Sequence, residues 1–311
     1  MERKNNGIKM QRYLIVLFSA FMLFFTGLAN VGAERPAFPT SKAPASSLHT
    51  SRAQTTTAYS TTPDYTSFPE GGEEATLPAD NEPTYDCRFY QAYIGGDMGP
   101  WPGWIEELEQ KYRRRGNPRV LYDVLIAYYG YVAYLIGQER HDQAKNYLEQ
   151  AEDQLDELDN FSAYRSYAES LQGAFLAYEI GMNRSKAVWL GPKSMKHINR
   201  AVELDPGNPI AWMEKGNAEY HMPRIFGGSY HKAAEYFRKA IGLFESGGYD
   251  LQCNWRYLNA LAWLAQSYDK AGKPGQASQI YRKILNREPR FEWVKDELYP
   301  AFAEDHPGMF D

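Results

Sequence analysis

Residues 258–291 read LNALAWLAQSYDKAGKPGQASQIYRKILNREPRF. Apolar residues recur at steps of three and four on both sides of Ala271-Gly272-Lys273-Pro274-Gly275, which predicts two amphipathic helices joined by a tight turn. Ala265 on the first helix and Ala277 on the second are small enough to let two backbones approach closely. Leu261, Leu264, Tyr268, Tyr281 and Ile284 supply the bulk around them, and Pro289 ends the second helix.

Counted from Leu258 as position 1, Leu264-Ala265, Tyr268, Ala277, Tyr281 and Pro289 fall on positions 7-8, 11, 20, 24 and 32. This resembles a tetratricopeptide (TPR) repeat, a family in which stacked helical hairpins form a curved solenoid. Leu261 and Ile284 depart from the usual Trp and Ala, and both stay apolar.

Moving toward the N-terminus, Pro206 at position 32 makes Pro209 position 1 of the preceding repeat, with Trp212 and Gly216 on positions 4 and 8. Its second helix carries Ala233, Phe237 and Ala240 in register only if five extra residues sit around 222–229. Further back the pattern is degenerate. Helices are expected over 119–136 and 141–158, where Ala144, Leu148 and Ala151 keep the spacing, and over 162–180. A long connection at 181–191 and a helix from Pro192, with Ser194, Ile198 and Ala201 in register, follow. The resemblance covers residues 118–300 as about four repeats. Residues 85–117 precede it as an N-terminal capping segment with a helix over 104–115. Phe291, Trp293 and Leu298 cover the last face before a tail at 301–311. The expected fold is all-α, a TPR helical-hairpin solenoid behind a disordered N-terminal tether. The long loops are similar to those of secreted bacterial TPR proteins and, more weakly, of the periplasmic TPR component beside TRAP-type organic-acid transporters.

The first 33 residues read as a signal peptide. Arg3, Lys4, Lys9 and Arg12 precede the apolar run from Tyr13 to Phe25, and Val31-Gly32-Ala33 offers small residues for cleavage. That run is shorter than the roughly 20 residues a bilayer crossing needs. The expectation is a secreted or periplasmic protein without a membrane span after cleavage; an uncleaved anchor is the alternative. Residues 34–84, rich in Pro, Ser and Thr, are expected to be a disordered linker, because they carry too little apolar surface to offset chain entropy.

Composition excludes one class of partner. The chain has 311 residues and a net charge of −5; four basic and one acidic residue lie in 1–33, so the remainder carries 30 and 38, a net of −8. Such a balance gives nucleic acid no electrostatic footprint. Six scattered histidines make no HExxH or Cys/His zinc spacing, and no GxSxG, P-loop or GxGxxG is present. The acidic stretch 152–157 spaces as the solvated face of a helix. No catalytic residue, metal or cofactor is therefore expected, and the chain is read as not an enzyme. Cys87 and Cys253 either form a bridge or lie apart as buried thiols; the ends of a linear solenoid are far apart, which favours separate thiols.

In TPR proteins positions 2, 5, 9, 12 and 13 of each first helix line the concave groove. The resemblance therefore implies that Asn217 and Gln266, both at position 9, present amides to a peptide backbone, with Tyr220 beside Asn217. The Lys/Arg set that clamps a C-terminal carboxylate is incomplete. The two long loops of neighbouring repeats should emerge on one edge, bringing Trp189 and Lys193 beside Arg224 and Phe226. Trp, Phe and Arg are the types that anchor interfaces. Alternatively, the two aromatics fold inward and fill the space each insertion opens. The expected function is a scaffold binding a protein or peptide partner; a small-molecule-binding accessory of a transport system is the alternative.

Overall fold

The computed structural model describes residues 85–309, and the expected signal peptide and linker lie outside them. Eleven α-helices and no strand occur among the described residues. We number them α1 (Tyr85–Ile94), α2 (Trp101–Arg115), α3 (Pro118–Gly137), α4 (His141–Asp159), α5 (Arg165–Met182), α6 (Ala187–Leu204), α7 (Pro209–His221), α8 (Tyr230–Ser246), α9 (Trp255–Lys270), α10 (Pro274–Arg287) and α11 (Tyr299–Asp305). The hairpins α3–α4, α5–α6, α7–α8 and α9–α10 stack in order, each pair packed along its length.

Local chemistry sets the helix starts. Asn117 and Asn208 each precede a proline at the first helical position, and their side chains accept from Arg119 N at 2.8 Å and Ile210 N at 2.9 Å. Asn208 is fully buried, and its Nδ2 donates to Ser166 Oγ at 2.8 Å and Ser170 Oγ at 3.2 Å, so one side chain caps α7 and ties it to α5. The repeat positions behave as their residue types demand. Leu261, Leu264, Ala265, Tyr268, Ala277, Tyr281 and Ile284 are all buried between α9 and α10. Pro118–Gly137 is the one described helix long and apolar enough to cross a membrane, yet 83% of that stretch is buried inside the fold; α3 is the core helix.

The stack is not an open, linear one. Its curvature brings the first repeat back against the last: Trp255 of α9 stacks on Tyr129 of α3 at 6.2 Å, and Arg256 Nη1 donates to Tyr122 OH at 3.2 Å. A Cβ on Gly130 would meet Trp101 at 2.6 Å and Trp255 at 2.9 Å, so glycine is what allows α3 to approach both rings. The segment 85–117 is no simple cap on the first repeat. Its helix α1 crosses to the last one, with Tyr93 OH donating to Asn259 Oδ1 and Tyr90 OH to Glu288 Oε2, both at 3.1 Å. Cys87 of α1 and Cys253 before α9 form a disulfide, their Cα atoms 4.7 Å apart. The expectation of separate thiols fails because it assumed distant ends. At the other terminus, Phe291, Val294 and Phe302 close the last face, with Trp293 and Leu298 only partly buried. A π-helical turn over Trp293–Leu298 leads directly into α11, so ordered structure runs through residue 300.

Candidate functional site

The concave face is largely filled. A chain of aromatic contacts runs across it from Tyr178 to Tyr129 (5.6 Å), Trp255 (6.2 Å), Tyr93 (5.4 Å) and Phe291 (5.2 Å). The expected groove positions Ile210, Met213 and Ala262 are buried, and Asn259 is occupied by Tyr93. The two position-9 amides are engaged within the fold. Gln266 Nε2 donates to Ala262 O one turn back, at 3.4 Å. Asn217 Nδ2 donates to Glu214 Oε1 at 3.1 Å, while its own Oδ1 is buried without a partner. Tyr220 packs edge-on against Trp263 at 5.0 Å and Tyr230 at 5.2 Å. These three residues are half-buried and each already makes a contact within the fold.

Glu214 is the unforeseen member of this region. It is 3% exposed and accepts from Tyr129 OH at 2.7 Å as well as from Asn217. Burial pushes its carboxyl up to about 7, opposed by the two hydrogen bonds. Nothing in the local pattern marks it, since a lone Glu between apolar residues of an amphipathic helix usually faces water.

The other four candidates stand apart, at one end of the second and third hairpins. The expected loop at 181–191 is mostly helix: only 183–186 connect α5 to α6, with a 3-10 turn at Arg184–Lys186. Trp189 and Lys193 therefore sit on α6, which contains Pro192. The proline lies early enough that its ring faces, and its missing N–H leaves unbonded, only the carbonyl of Val188, a residue 83% exposed and open to water. Helix α6 has 18 residues and α7 has 13, joined by the four-residue turn 205–208. Antiparallel packing puts the start of α6 and the end of α7 on the side away from that turn.

The insertion 222–229 follows α7 and leads into α8. It is a built turn: Phe226 N and Gly227 N donate to Pro223 O and Arg224 O at 2.9 and 3.0 Å, and Ser229 N reaches Glu219 O at 3.0 Å. A Cβ on Gly228 would lie 1.8 Å from Met222 O, so the turn closes only with glycine there. The aromatics do not fold inward. Val188, Trp189, Ile225 and Phe226 are the large hydrophobic residues left exposed among those described, at 83, 53, 71 and 63%. Lys193 and Arg224 are exposed too, each on the same element as one pair of these side chains.

Two shallow depressions lie elsewhere, each along a single helix: one lined by Gln279, Arg282, Lys283, Asn286 and Arg287 on α10, the other by Asn146, Glu149, Gln150, Glu152 and Asp153 on α4. No cluster of metal-ligating side chains occurs among the described residues.

Comparison with known proteins places this geometry. The family model for the tetratricopeptide repeat matches residues 258–291, the repeat in general and not a transporter-associated subgroup. No curated protein matches the chain in sequence. Among solved structures it is similar to the HusA haemophore from Porphyromonas gingivalis, at 15% identity and a TM-score of 0.42, over 61% of this chain and 96% of that one. The chain thus carries a tetratricopeptide repeat at 258–291 within an all-helical stack of hairpins among the described residues.

Proposed function

We propose that this protein is a non-catalytic scaffold, exported to a secreted or periplasmic location, that binds a protein or peptide partner at the corner carrying Trp189, Lys193, Arg224 and Phe226. The exposed apolar quartet carries the reading. Large apolar side chains on a folded surface cost solubility unless a partner covers them, and these four are the ones left exposed among the described residues. TPR repeats generally mediate protein–protein contact, which supports the same assignment. The bridge between Cys87 and Cys253 supports export, because such bonds persist in oxidising compartments.

A photo-crosslinking residue at position 189 or 226 of the exported protein tests this. One protein should be captured in stoichiometric yield from both positions, and Trp189→Ala with Phe226→Ala should abolish its binding while leaving the melting temperature within about 2 °C, as expected for exposed side chains. If the double variant unfolds the domain and spares binding, the corner is structural. The competing reading, a small-molecule accessory of a transport system, would appear instead as a thermal shift with organic acids that these substitutions leave unchanged.

A further inference from the structure

Resting on that docking corner, we infer that its partner is a protein segment presenting apolar side chains between carboxylates. The corner is a basic island on an acidic chain. Segments 179–196 and 219–232 hold six Lys and Arg against two Glu, while the whole chain is at −5. Both glutamates are already matched, Glu179 by Lys186 and Glu219 by Lys232 at 3.8 Å. Lys193 and Arg224 have no ion-pair partner among the described residues; Lys193 shares α6 with Val188 and Trp189, and Arg224 shares the inserted turn with Ile225 and Phe226. A surface of this make-up attracts negative charge at its rim and apolar groups at its centre, and charge complementarity of that kind decides partner choice and encounter rate.

An anionic membrane would share the charge but not the geometry. Lipid-surface recognition draws on clusters of about four to eight basic residues or on a helix lying flat with one apolar face. Here α6 turns Leu190, Ser194, Ile198 and Ala201 into the fold, and its outer face is charged beyond Val188 and Trp189. The apolar residues form two small tips on separate elements, which suits a shaped protein surface.

A matched pair of amphipathic helical peptides tests the class: identical leucine positions, with glutamate at the polar positions in one and lysine in the other. Fluorescence anisotropy with the disulfide-bonded full chain should show the glutamate peptide binding at least about tenfold more tightly. Lys193→Glu with Arg224→Glu should reverse that order, and Trp189→Ala with Phe226→Ala should abolish both interactions. Equal binding of the two peptides, no binding of either, or sedimentation of the chain with vesicles of three parts phosphatidylcholine to one part phosphatidylglycerol that Trp189→Ala prevents would overturn the inference. Crosslinking from positions 189 and 226 is independent of peptide charge. Its failure removes the docking corner altogether, whereas its success beside a charge-blind peptide result removes only the acidic partner.

Discussion

Glu214 offers the sharpest physical test of the fold, because its cost is calculable and its sign is fixed. The carboxyl is buried among α3, α5 and α7 and titrates near 7 instead of its ordinary 4.5. Folding therefore favours the protonated form. The folded state holds this proton between those values while the unfolded chain has released it, so stability is full below about 4.5 and falls as pH rises to about 7. At about 1.4 kcal/mol per pH unit, the ionised group costs the folded state roughly 3 kcal/mol at pH 8. Glu214→Gln keeps an oxygen for Tyr129 OH and Asn217 Nδ2 and removes the charge. It should raise the melting temperature at pH 8 by roughly 6–12 °C for a domain of this size and change it little at pH 4.5. Glu297, also raised to about 7 by burial and then by Asp296, contributes a slope of the same sign, so the quantity to read is the difference between variant and parent across pH. A variant less stable than the parent at pH 8 would show that the charged form is the one the fold holds, and would refute the reasoning.

Two further outcomes bear on the architecture. Cys87→Ser with Cys253→Ser opens a loop of sequence separation 166 and should lower stability by about 5 kcal/mol in the chain-entropy picture, read as a urea midpoint; a shift near zero would mean that packing of α1 alone holds the ends together. Ala277→Leu adds bulk at a fully buried contact between α9 and α10 and should cost about 1–3 kcal/mol, whereas an unchanged melting temperature would mean the two helices are not as close as the repeat register requires.

What was legible in the sequence was local. Pro206 at repeat position 32 announced the start of α7 at Pro209, alanines at repeat spacing announced the hairpin contacts, and an excess of five residues announced the turn at 222–229. Pro192 misled for a local reason: proline favours the first turn of a helix, so it read as a start, although α6 had begun five residues earlier where the unpaired carbonyl faces water. Closure of the stack was not legible. It depends on small rotations summed over four hairpins, and no window of sequence contains the meeting of Trp255 with Tyr129 or of Tyr93 with Asn259. The disulfide and the burial of Glu214 follow from that closure, so they were out of reach for the same reason.

Closure also explains why the candidate surface lies on an edge. An open TPR stack leaves its inner helices free to hold an extended peptide, and Asn217 and Gln266 would then face it. Here the inner space is taken by aromatic rings and by α1, and α1 is held at Cys87. A ligand entering would have to displace buried Tyr, Trp and Phe side chains, each worth roughly 1.5–3 kcal/mol of burial, before making any contact of its own. The start of α6 and the glycine-closed turn before α8 demand no such displacement. They hold their apolar side chains in water on hydrogen-bonded backbone, so little is lost in ordering them when a partner arrives. A docking site at the rim, as proposed, suits a fold whose inner space is occupied by its own side chains.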